Sequence, residues 1–142
     1  MASLTYIRGS VLFAGAGDWG SKTQTYRVLL ATDEYKPDRK HRVVSQVIGE
    51  LAGSGYTRKD LTGRAVLAKD ASGDCIADSV SFTGLRSVQT YRWAVIFRAG
   101  KADSDSDLIC CIDMDAVSLR AVTDHTIKWD GQAKSGRVFS IQ

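Results

Sequence analysis

Apolar and polar residues alternate with a period of two along much of this chain, the pattern of strands half-buried on a sheet. A first such run spans Thr25 to Ala31. From Tyr56 onward, strands are predicted at Leu61 to Ala68, Cys75 to Phe82, Tyr91 to Arg98, Leu108 to Asp113, Ala116 to Val122, His125 to Trp129 and Arg137 to Ile141, parted by Gly, Asp and Ser turns. Short strands at this spacing predict a mainly β fold, an antiparallel β-sandwich or barrel. The period changes in two places. Leu4, Ile7, Val11 and Leu12 form the stripe of a short N-terminal helix ending at Gly15 and Gly17, although Tyr6, Ile7, Val11 and Phe13 are also good strand formers. Val43, Val44, Val47 and Ile48 predict one short helical turn near residues 41–48, before Gly49. The run from Gly49 to Arg58 then reads as a tight glycine-rich turn feeding a strand.

Two predicted strands are apolar on both faces. Tyr91, Trp93, Val95 and Phe97 make one face of their strand, while Ala94 and Ile96 lie on the other between Arg92 and Arg98. In the next strand Leu108, Cys110 and Ile112 alternate with Ile109 and Cys111. Such strands need a cover on each side. The second cover is either the N-terminal helix or a neighbouring subunit, and the latter would place Ile96 and Ile109 at an interface.

Composition narrows the picture only a little. At 142 residues the chain is long enough for one domain, residues 1–142, with its own core. A net charge of +3 is mild, and its Lys and Arg are spread among many Asp residues, so nucleic acid is not expected as a partner. No apolar run approaches the ~20 residues of a membrane helix, and the start, Met1 to Leu4, has no signal-peptide pattern. Cys75, Cys110 and Cys111 form no disulfide framework. Adjacent residues on a strand point to opposite faces, so Cys110 and Cys111 are expected as separate, reduced thiols.

Motifs that could carry chemistry fail on context. Gly15 to Gly20 spells G-x-G-x-x-G, but only Ser21 to Gln24 separate it from a strand, too few for the helix a dinucleotide needs. Asp103, Asp105 and Asp107 alternate like the start of a calcium loop, yet Leu108 and Met114 stand where Gly and Glu belong. His41 and His125 lack the close Cys or His neighbours of a zinc site, and Asp124 beside His125 is no catalytic triad by adjacency alone. No catalytic, cofactor-binding or metal-ligating residue is therefore assigned, and no enzyme activity or cofactor is expected. The best candidate surface is the stretch Tyr35 to Arg42. There Tyr35, Pro37, Arg39, Lys40 and His41 would suit electrostatic contact with an acidic protein.

The ordered set of these features resembles the small virion structural proteins encoded in the head and tail gene clusters of tailed bacteriophages. The matching residues are Tyr6-x-Arg8-Gly9-x-Val11-Leu12, the strand Tyr26 to Leu30, Tyr35-x-Pro37-Asp38 with His41, and the turn Gly49 to Arg58 leading to Leu61 and Gly63. Ala94 to Phe97, Leu108 to Asp113, and Thr126 to Asp130 with Val138 and Phe139 complete it, so that it covers Tyr6 to Ile141. The basic stretch Lys36 to Arg42 and the pair Cys110-Cys111 depart from the family pattern. The resemblance implies a non-enzymatic virion component, assembled in the host cytoplasm. It would be a capsid cement or decoration protein that self-associates into a homo-oligomer and binds the major capsid protein or other virion proteins. A tail, fibre or head–tail connector component is the alternative within the family. Outside it, the alternative is a small cation- or carbohydrate-binding β domain using the loop Asp103 to Asp107.

Overall fold

The computed structural model describes residues 3–6, 9, 19, 23–69, 72–86, 89–129 and 135–141. The fold is mainly β. Its strands are β1 (Ser3–Thr5), β2 (Tyr26–Ala31), β3 (Lys59–Asp60), β4 (Ala65–Lys69), β5 (Ser72–Asp78), β6 (Val80–Phe82), β7 (Thr90–Arg98), β8 (Asp107–Ser118), β9 (His125–Ile127) and β10 (Ser135–Ile141). They form a five-stranded sheet ordered β1-β8-β7-β2-β3, a three-stranded sheet β10-β5-β4 and a pair β6-β9. Every pairing is antiparallel. Among the described residues no sheet closes on itself.

Several boundaries differ from the sequence pattern, each for a local reason. The run Cys75 to Phe82 breaks at Ser79, and its halves, β5 and β6, join different sheets. The run predicted as Leu61 to Ala68 begins its pairing only at Ala65, after Gly63 turns the chain with φ 62°. The predicted strand Ala116 to Val122 does not exist as a unit. β8 instead runs on to Ser118, and the chain then turns at Ala121, which has φ 61°. Leu4, expected to open a helix, lies in a strand, while Gly9 is helical; residues 7, 8 and 10–17 of that segment lie outside the described residues. The helical turn near 41–48 is a single 3-10 turn, Val44–Gln46.

The face assignment of β7 and β8 is set by two register breaks that residue alternation does not reveal. Opposite Ile96 and Phe97 the partners are Cys110 and Leu108, which leaves Ile109 as an extra residue on β8. Ile109 and Cys110 consequently share one core, while Cys111 belongs to the other. A second break separates Tyr91 from Trp93, where β8 carries Asp115 and Ala116 at φ 61°. Beyond it Tyr91 joins the core of Ala94 and Ile96, instead of following Trp93, Val95 and Phe97 as the alternation predicts.

The first core lies between the large sheet and the two smaller ones. Val28, Leu30, Ala94, Ile96 and Ile112 of the large sheet meet Cys75, Ala77, Phe82, Ile127 and Val138 of the others, with Trp19 and Trp129 among them. Both indoles satisfy their N–H on β5: Trp19 donates to the Ile76 carbonyl at 2.8 Å and Trp129 to that of Asp78 at 2.9 Å.

The second face of the large sheet is covered by the polar connection of residues 32–48, which crosses it as a strap. At the β2 edge, Thr32 N–H donates to Gly49 O and Leu51 N–H to Leu30 O, both at 2.8 Å. At the β8 edge, Val44 N–H donates to Ser106 O at 3.0 Å and Leu108 N–H to Arg42 O at 2.9 Å. Beneath it, Tyr35 and Val44 of the strap and Tyr6 pack on Leu29, Ala31, Val95, Phe97, Leu108 and Cys111. These residues supply the cover for which a helix or a second subunit was expected. Ordering a residue costs about 1–2 kcal/mol, while burying Tyr35 and Val44 contributes only about 1.5–3 kcal/mol each. Backbone pairing at both edges must therefore hold the rest of the strap in place.

Candidate functional site

The strap owes its shape to local hydrogen bonds. Pro37 fixes its own φ and offers no donor, and the next residue, Asp38, closes a turn: its carboxylate accepts from Lys40 N–H and its carbonyl from His41 N–H, each at 2.9 Å. The Lys36 ammonium donates to Asp33 O at 2.9 Å. At the far end the Gln46 side-chain oxygen accepts from the Arg42 and Val43 N–H groups at 2.6 and 3.1 Å, capping the 3-10 turn.

Tyr35 anchors the strap from below. Its ring is 1% exposed, its hydroxyl lies 2.6 Å from that of Tyr6 and 3.0 Å from His41 Nδ1, and its carbonyl accepts from the Trp93 indole at 3.1 Å. With a neutral His41 accepting at Nδ1, the chain of donors runs from Tyr6 to Tyr35 to His41. Burial raises the pKa of Tyr6 far above the ordinary phenol range, with the neighbouring Cys111 adding to it. Burial also pushes Tyr35 up to about 12. The Cys111 thiol likewise rises to about 12 through burial, although its hydrogen bond with Tyr6 pulls the other way. Cys110 is raised too, by burial first. All three cysteines are buried and outside any disulfide, and Cys110 and Cys111 point into opposite cores. The Cys110 and Cys111 thiols remain protonated at neutral pH, which makes them packing groups rather than nucleophiles.

The predicted surface residues divide accordingly. Pro37 is half-buried, Arg39 and Lys40 are exposed, and His41 is half-buried against Tyr35. Tyr35 itself is the buried anchor, and Ile96 and Ile109 are 0% exposed within the first core. Those three cannot contact a partner from this fold. Beside the strap, Arg42, Val43, Gln46, Ser104, Asp105 and Asp107 line an open groove of about 560 Å³. The loop of Asp103 to Asp107 forms the hairpin tip between β7 and β8, with a 3-10 turn at Asp103–Asp105. Its carboxylates do not converge: Asp103 pairs with Arg58 at 2.7 Å and Asp107 with Arg98 at 2.9 Å. Among the described residues no cluster of three His, Cys, Asp or Glu is placed to hold a metal. Of the G-x-G-x-x-G stretch only Trp19 is described, and it is buried.

A network that the sequence pattern did not disclose ties the glycine turn to this loop. Arg58 donates to both oxygens of Glu50 at 2.8 and 2.9 Å and to both of Asp103 at 2.7 and 3.1 Å, over the Phe97 ring at 5.4 Å. Tyr56 donates to Glu50 at 2.7 Å while accepting from Leu30 N–H at 3.0 Å. The hydrogen bond from Arg58 holds Asp103 below the usual carboxylate range. The available signal was the crowding of Glu50, Tyr56 and Arg58 around one turn. Its partner Asp103 is too distant in sequence to be inferred.

A half-buried histidine bonded to a buried tyrosine contributes to the response to acid. His125 Nε2 lies 2.6 Å from the Tyr91 hydroxyl, and burial lowers the His125 pKa below its ordinary value. A folded value below the unfolded one, about 6.5, means that protonation favours the unfolded chain. The contribution of this group is thus complete above about pH 6.5 and is lost as pH falls toward the depressed folded value. Unfolding titrations between neutral and mildly acid pH should show declining stability, with a shallower decline in His125→Gln. An unchanged slope in that variant would remove His125 as the cause.

Comparison of the chain with protein-family models, with curated proteins and with solved structures finds no match.

Proposed function

We propose that the chain is a non-enzymatic structural protein of a tailed-phage virion, a capsid cement or decoration protein that binds the lattice of the major capsid protein and stabilises the head. The observation that carries the reading is the sealed sheet. Both faces of the five-stranded sheet are covered within one chain, so its apolar residues go into a rigid body and recognition falls to a polar exterior. The ordered resemblance from Tyr6 to Ile141 supports the same reading. A cement protein needs little affinity per contact, because attachment at several points on a repeating lattice multiplies weak binding. Copies arranged around a lattice symmetry axis would also meet one another, which is where self-association enters.

Quantitative mass spectrometry of purified particles from the phage that encodes the chain tests this. A copy number near that of the major capsid protein is expected. A few copies per particle would indicate a tail, fibre or connector position instead, and absence from the particle would overturn the virion reading.

A further inference from the structure

Although Lys and Arg are spread along the chain, its net positive charge matches that of one segment. Between residues 36 and 42, Lys36, Arg39, Lys40 and Arg42 stand against Asp38 alone, which equals the +3 of the whole chain and leaves the remainder formally balanced. Four arginines outside the strap are matched. Arg27 pairs with Asp60 at 2.6 Å, Arg58 with Glu50 and Asp103, Arg92 with Asp113 at 3.0 Å and Arg98 with Asp107. The strap cations form no ion pair among the described residues. Lys36 bonds a carbonyl, Arg39 Nε makes a 3.4 Å contact with Thr5 O, and all four side chains are exposed. The strap that carries them is fixed, with Tyr35 and Val44 buried beneath it and both ends paired to strand edges. Unmatched charges on an ordered segment bind without the entropy of ordering that a loose loop would lose.

We infer that Arg39, Lys40 and Arg42, with Lys36 beside them, form a docking ridge for a carboxylate-rich protein surface. Only in naming the natural partner, an acidic outer face of the major capsid protein, does this rest on the virion reading. The surroundings favour protein over nucleic acid. No aromatic ring is exposed on the strap, since Tyr35 lies beneath it, so no base-stacking platform accompanies the charge. Asp38 sits within the ridge and Asp105 lines the same groove as Arg42, a mixed-charge surface that a uniformly anionic phosphate backbone does not match. A protein face of mixed charge satisfies both signs, its carboxylates on the ridge and its cations toward Asp105.

The test uses the intact chain, fluorescent poly-L-glutamate, a short DNA duplex and purified shells lacking the chain. The ridge variant is R39E/K40E/R42E. A control variant, K101E/R120E/K128E, makes the same change in net charge at three other exposed positions. Wild type should bind polyglutamate at low salt and lose it at high salt, with the ridge variant weaker by about tenfold or more and the control little changed. All three proteins should melt alike. Equal losses in both variants, no binding by wild type at low salt, or tighter binding to DNA than to polyglutamate would each overturn the ridge. Shells that retain the ridge variant as well as wild type would overturn it too, while leaving the capsid reading intact. Wild type that binds polyglutamate through the ridge but ignores the shells would do the reverse.

Discussion

Tyr35→Ala should lower the free energy of unfolding by about 3–5 kcal/mol, the range for truncating a buried aromatic ring. The residue is the main apolar contact between strap and sheet, and its hydroxyl joins Tyr6 to His41. Without the ring, Val44 is the remaining fully buried apolar side chain of the strap. Tyr35→Phe keeps the ring and removes the hydroxyl, leaving the buried Tyr6 hydroxyl with the weaker Cys111 thiol as partner, so a loss of about 0.5–1.5 kcal/mol is expected. Denaturant unfolding orders the two variants. Limited trypsin digestion locates the effect, because the strap offers cleavage after Arg39, Lys40 and Arg42, whereas Lys36 is protected by Pro37. Cleavage by local opening follows the population of the open form, so each ~1.4 kcal/mol lost from strap closure should speed nicking about tenfold. If Tyr35→Ala loses global stability while the strap is cut at the wild-type rate, Tyr35 is an ordinary core residue and not the strap's anchor.

The strand content was legible because a period of two is a direct consequence of strand geometry, and turns declare themselves through Gly and Asp. What alternation could not show is where a ladder slips. Ile109 reads as the opposite face from Cys110, yet the extra residue on β8 places both in one core. The same limit explains Tyr91. The strap is hidden in the sequence for a different reason. Tyr35 stands in a run of charges, where a tyrosine resembles a contact residue, and only the tertiary fold shows the sheet face left bare without it. Once Tyr35 and Val44 cover that face, the apolar second side of β7 no longer calls for a subunit. Of the expected surface, the cations Arg39 and Lys40 stayed outside because no apolar burial competes for them, while Ile96 and Ile109 went inside for the opposite reason. Of the Arg58 network, the crowding of Glu50, Tyr56 and Arg58 around one turn is legible, whereas Asp103, 45 residues from Arg58, is not.

Gly55→Ala should also be costly, and a second glycine separates the two physical reasons. Gly55 has φ 84°, and a Cβ there would collide with the carbonyl of Gly84. The glycine turn is docked on that loop, with Arg86 N–H donating to Ser54 O at 2.9 Å, and the chain continues directly into Tyr56 and Arg58 of the ion-pair network. Alanine in the left-handed region costs about 1–2 kcal/mol relative to glycine. Relieving the clash by moving two packed loops apart adds about 1–3 kcal/mol. Gly84 has nearly the same backbone strain, φ 65°, but nothing within 4 Å of the position its Cβ would take. Gly84→Ala should therefore show the conformational cost alone. Urea unfolding of both variants should find Gly55→Ala less stable than Gly84→Ala by the clash term, with trypsin sensitivity appearing at Arg58 as the turn lifts from the loop. Equal losses would mean that the two loops do not touch at Gly55, and that the turn is held by its own glycines rather than by the surface it rests on.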